Sequence, residues 1–201
     1  MNYPIICISR EYAGGGREIG QQLAKELNLP FYDRTIVEAA AVESGLSPEF
    51  IEKNEQKFRG STLFNLSMGN HTINPMGTTL TDKVFIAQRE IILKIAEQGP
   101  CVIVGRCADY ILRNLPNVFT VFISADLEER KQRAIKEYNC DLFTVEKILR
   151  TMDRQRSRHY HYYTDRTWGD RNLYTMVLNS TQLGADLCVE LLVKAIQEYS
   201  K

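Results

Sequence analysis

Short, nearly unbroken apolar runs alternate along this chain with longer stretches in which apolar residues recur every three or four positions. Tyr3 to Ile8 (YPIICI), Cys101 to Val104 (CVIV), Val118 to Ile123 (VFTVFI) and Tyr174 to Leu178 have the first pattern, that of strands buried on both faces of a parallel sheet. Pro30 to Asp33 (PFYD) adds a short aromatic strand. Ile19, Leu23, Ala24 and Leu27 mark a helix over Arg17 to Leu27, which Pro30 ends. Thr35 to Val42, a charged segment opening at Ser47-Pro48-Glu49, and Thr81 to Gln98 before Gly99-Pro100 also read as helices. Further helices are expected over Cys107 to Leu115, from Asp126, over Thr144 to Tyr163, and over Gly184 to Tyr199. Strands and helices in alternation predict one α/β domain over 1–201 with a mainly parallel five-stranded sheet. Residues 59–80 have no period and are rich in Gly, Ser, Thr and Asn, which predicts a long loop, with a mobile insert over about 47–80.

Between the first strand and the first helix lies ISREYAGGGREIG, Ile8 to Gly20. Glycines let the backbone turn tightly and approach a ligand, and the unpaired N–H groups of the next helix favour an anion. The stretch departs from G-x-x-x-x-G-K-[ST]: with Gly16 as the second glycine, Glu11 takes the first place, Arg17 that of the lysine and Glu18 that of the hydroxyl. Arg17 can pair with phosphate oxygens, and Glu18 can reach a magnesium ion or serve as a favourable acid in the first turn. The plainer alternative is a glycine turn that only joins strand to helix. Asp33 and Arg34 stand at a strand's carboxyl end, where open parallel sheets bind ligands, although Asp33 also suits a helix N-cap.

Lysine plus arginine and aspartate plus glutamate each total 25, so no net basic field argues for a nucleic-acid polymer as partner. Arg150, Arg154 and Arg158 nevertheless stack four apart on one helix face, with Arg156 pointing elsewhere. That stripe can close over polyphosphate or form a solvated face paired with acids such as Glu146. The aromatics around His159, Tyr163 and Trp168 can stack on a base or seat a lid; a metal pair at His159 and His161 lacks a third ligand. The five cysteines are odd in number and form no C-x-x-C pair. With no apolar run of membrane-spanning length, they point to a soluble cytoplasmic protein.

Taken together and in order, SREYAGGGREIG, PFYDRTIVEAA, VIVGRCADYIL, ISADLEERKQRA, MDRQR, YYTDRTWGD and VLNSTQLG resemble the cytidylate-kinase-like family of P-loop nucleoside monophosphate kinases. The resemblance implies a three-layer P-loop kinase fold with a helical lid over about 126–163. It implies ATP and Mg²⁺ as cofactors, with Gly14, Gly15, Gly16 and Arg17 on the donor phosphates and Asp33 beside the transferring group and its metal. Arg106 and Asp109 would face a monophosphate acceptor, with Arg34 near it, while Arg150, Asp153 and Arg156 would belong to the lid. The expected activity is phosphoryl transfer to a small acceptor, a nucleoside monophosphate such as CMP or dCMP. The divergent loop keeps open a nucleotide-binding regulatory protein without kinase activity, and the fold's breadth keeps open a kinase of a non-nucleotide small molecule.

Overall fold

The computed structural model describes residues 3–33, 36, 39 and 80–200. Five strands form one sheet: β1 (Ile5–Arg10), β2 (Phe31–Tyr32), β3 (Val102–Val104), β4 (Val118–Ser124) and β5 (Met176–Asn179). Their order is β2-β3-β1-β4-β5, and every pairing is parallel. The central β1 explains the unbroken apolar run. Ile5 and Cys7 enter one core layer and Ile6 and Ile8 the other, so both faces of the strand exclude water.

The sheet is flanked by helices α1 (Gly16–Glu26), α2 (Leu80–Glu97), α3 (Ala108–Ile111), α4 (Leu127–Tyr138), α5 (Val145–Thr164) and α6 (Ser180–Tyr199). Ile19 and Leu23 of α1 are fully buried with Leu192 and Ile196 of α6 on one side of the sheet. Each such side chain is worth roughly 1.5–3 kcal/mol. Val84, Ile91, Ile92 and Ile95 of α2 form the other layer with Leu112. Helices thus cover both faces of an all-parallel sheet, the three-layer α/β architecture expected from the sequence.

Two expected boundaries shift. The helix foreseen over 107–115 is the short α3, because Arg106 and Cys107 take positive φ and the chain turns again before Pro116. The last helix starts at Ser180, where the Asn179 side chain accepts from the N–H of Thr181 and Gln182, and Gly184 marks a break inside it. Of the expected helix at 35–42 only Ile36 and Ala39 are described, both helical, while the helix at 47–57 and the insert at 47–80 lie outside the described residues, save the start of α2 at Leu80.

A third cluster, Ala13, Ala134, Val145 and Leu149, packs α4 and α5 onto the glycine loop. The helical pair is thereby joined to the carboxyl edge of the sheet.

Candidate phosphate-binding site

The loop after β1 is held from several directions. Gly14 N–H donates to the Glu11 carbonyl at 3.1 Å, and Gly15, at φ 78°, is the N-cap of α1. A Cβ on Gly16 would sit 2.5 Å from Cβ of Arg10, so the chain can pass here only without a side chain. The first helical N–H groups, at Gly16, Arg17 and Glu18, have no acceptor within the helix.

The loop carbonyls are taken by side chains from other elements. Arg156 Nη1 donates to Arg10 O at 3.0 Å, Arg130 Nε to Tyr12 O at 2.8 Å, and Arg133 Nη1 to Ala13 O at 3.0 Å. Ser180 Oγ donates to Gly14 O at 2.8 Å. In a trans peptide the next N–H points opposite to the carbonyl, so fixing the carbonyls aims N–H groups the other way. Arg130 also pairs with Glu11 at 3.3 Å and with Asp153, whose carboxylate accepts the Tyr12 N–H at 2.8 Å. Glu11 completes the tie by accepting the Ala125 N–H at 2.9 Å.

Over this loop opens a cavity of about 380 Å³, lined by Gly14, Gly15, Gly16, Arg17, Asp33, Arg10, Arg106 and Arg156 among others. Arg17 Nε lies 2.9 Å from Asp33 Oδ2, and Arg10 Nη2 lies 3.9 Å from Oδ1. Burial, reinforced by the charge of Arg156, pushes the Arg10 guanidinium down to about 9, the opposing pull of Asp33 notwithstanding. Burial lowers Arg156 as well, with Arg106 adding to it against the pull of Asp153. Crowded, partly desolvated cations of this kind are relieved by an anion.

The expected site residues separate in space. Gly14, Gly15, Gly16, Arg17, Asp33, Arg106 and Arg156 line the cavity; Glu18, Asp109, Arg150 and Asp153 do not. Glu18 is exposed in the first turn of α1. Asp109 is buried and accepts the Tyr160 hydroxyl at 2.6 Å, and burial holds its carboxyl above the usual range. Arg150 is exposed and donates to Glu146 through Nε and Nη2 at 2.9 and 2.8 Å, the ordinary i,i+4 pairing of a solvated face. Asp153 braces the glycine loop through Tyr12 and Arg130. Arg34 lies outside the described residues.

The sequence motifs assign no role to Arg10, Arg130 or Gln155. Arg10 is the last residue of β1, four positions before Gly14, and lines the cavity at that edge of the sheet. The aromatic cluster seats α5. Phe85 stacks on Tyr163 with centroids 3.7 Å apart, and His159 meets both rings edge-on. Among the described residues no three His, Cys, Asp or Glu side chains form a metal cluster, and no helix is long and apolar enough to cross a membrane.

A sequence model of the cytidylate kinase-like family matches residues 5–182. No curated protein matches the chain. Among solved structures, an uncharacterized protein from Eubacterium ventriosum is 24% identical, with TM-score 0.73 and coverage of 96% of this chain and 98% of that one. Shikimate kinase from Acinetobacter baumannii, in complex with shikimate, is 15% identical with TM-score 0.58, covering 99% and 96%. A gluconokinase from Sinorhizobium meliloti is 12% identical with TM-score 0.56, covering 98% and 96%.

Proposed function

The chain belongs to the cytidylate kinase-like family, and from that premise we propose that it transfers a phosphoryl group from ATP to a small acceptor, a nucleoside monophosphate such as CMP or dCMP. The observation that carries this reading is the gathering of Arg10, Arg17, Arg106 and Arg156 around the N-terminus of α1 in one cavity. Phosphoryl transfer asks a protein chiefly for positioning and charge neutralisation, which helix N–H groups and guanidiniums provide. The fit to a polyphosphate is supported by the loop's close approach at Gly16 and by the two arginines whose charge burial disfavours.

Gly15, Gly16 and Arg17 would hold the donor phosphates. Arg106 and Arg156 would hold the acceptor's anionic group and balance charge as it moves. Of the two acidic residues that line the cavity, Glu11 is paired with Arg130, and Asp33 is the one suited to magnesium, which commonly takes one or two carboxylates and completes its shell with phosphate and water. When bound, that ion would neutralise phosphate oxygens. Arg17 would exchange its carboxylate partner for phosphate, a planar fork suited to either. The free cysteines Cys7, Cys101, Cys107 and Cys188 are buried, in keeping with a reducing cytoplasm.

ADP release from ATP and Mg²⁺, measured with CMP, dCMP, UMP, AMP, shikimate and gluconate, tests this. Stimulation by a pyrimidine monophosphate is expected. Stimulation only by a non-nucleotide would keep the chemistry and move the acceptor, a reading in line with the shikimate kinase and gluconokinase folds. ATP binding without turnover on any acceptor would favour a regulatory binding protein, to which the Arg17–Asp33 pair lends support by occupying both groups.

A further inference from the structure

Part of the cavity wall is one face of α5. Met152, Gln155, Arg156 and His159 fall at i, i+3, i+4 and i+7, and all four line the cavity. The turn after β3 supplies another part, with Gly105, Arg106 and Cys107 at φ 76°, 60° and 54°. Two consecutive non-glycine residues in the left-handed region are strained, and such strain gathers where a side chain must be delivered to a ligand. The Asp109–Tyr160 hydrogen bond ties the helix after this turn back to α5.

The polar groups of this wall differ in kind. Arg106 and Arg156 are cations, while burial, with the charge of Arg106, pushes His159 down to about 4, so its imidazole is neutral at physiological pH. The amide oxygen of Gln155 is buried and meets no donor. Buried carbonyl oxygens are almost always paired, and this one, on a residue that lines the cavity beside two arginines, is left for a ligand's donor.

We infer that Gln155 is the specificity-determining residue of an acceptor subsite, its Oε1 accepting a hydrogen bond from a sugar hydroxyl while the phosphate rests on Arg106 and Arg156. The ligand class is a sugar phosphate, free or as part of a nucleotide. The word acceptor rests on the phosphoryl-transfer reading above; the binding chemistry does not. Inorganic phosphate satisfies the arginines but offers Gln155 no sugar hydroxyl, so it should be insensitive to that side chain.

Calorimetric titration without ATP separates these contributions. Wild type should bind CMP and ribose 5-phosphate more tightly than inorganic phosphate. Gln155→Met, which keeps length and removes the oxygen, should weaken both sugar phosphates roughly tenfold and leave inorganic phosphate within about twofold. Gln155→Asn, whose shorter amide withdraws the oxygen, should show a loss in the same direction, and ATP affinity and the thermal midpoint report on folding in both variants. Unchanged sugar-phosphate affinity in the two variants would overturn the assignment. So would wild-type affinity for sugar phosphates no better than for inorganic phosphate. A loss confined to CMP would overturn it too, because the donor would then lie on the base. If this affinity pattern holds while no acceptor stimulates ADP release, phosphoryl transfer falls and the subsite stands.

Discussion

At Gly16 the distance between Arg10 Cβ and any added methyl group leaves no room, and the obstructing atom is the first of its side chain, not a flexible end. Gly16→Ala must therefore move the loop or the end of β1. The expected cost is about 1–3 kcal/mol of stability, with ATP affinity falling at least tenfold in a titration; wild-type affinity would show that the loop does not approach the phosphates. His159 makes a different prediction. Its folded pKa, about 4, lies below the ordinary value of 6.5, so the unfolded chain takes up the proton first as pH falls. Its contribution is complete above about pH 6.5 and is lost between there and about 4, on the order of 3 kcal/mol in all. Urea denaturation from pH 7.5 to 4.5 should show wild type losing more stability than His159→Gln; parallel curves would mean that the imidazole is not held neutral by its surroundings.

Along α5 the sequence pattern and the structure disagree instructively. The stripe Arg150, Arg154, Arg158 is exposed, and Arg156, which lies off that stripe, enters the cavity. Periodicity tells which residues share a face, but a charged face reads alike whether water or a ligand meets it. Arg150→Ala should leave turnover within about twofold and stability within about 0.5 kcal/mol, the worth of an exposed i,i+4 pair. Arg156→Ala removes a cavity cation and the tie to Arg10 O, and a rate loss of at least tenfold is expected. Equal rates in the two variants would reverse these assignments. Asp153 shows the same limit: MDRQR carries the family resemblance, yet the carboxylate braces Tyr12 and Arg130, a long-range contact that no local pattern encodes.

Across the whole molecule, the strand–helix alternation, the central glycine loop and Asp33 at a carboxyl edge were legible because each is written within a few residues. The Glu11–Arg130–Asp153 network was not, since its members come from three distant segments and meet only when α4 and α5 pack on Ala13. That network makes the helical pair a support for the glycine loop. Arg130 is 6% exposed, and removing one member of a buried charged cluster typically costs about 3–5 kcal/mol. Arg130→Met should therefore lower the melting temperature by roughly 10 °C, and an unchanged melting temperature would show that the loop holds its shape without the network.

The most direct measurement is acceptor-stimulated ADP release by Arg17→Ala beside wild type, each checked for the same thermal midpoint. Arg17 is exposed and contributes little packing, so the fold should survive while the rate falls at least a hundredfold through loss of the cation, paired with Asp33 in this structure, that is proposed to hold the donor phosphates. A folded Arg17→Ala protein with the wild-type rate would contradict the account at its centre.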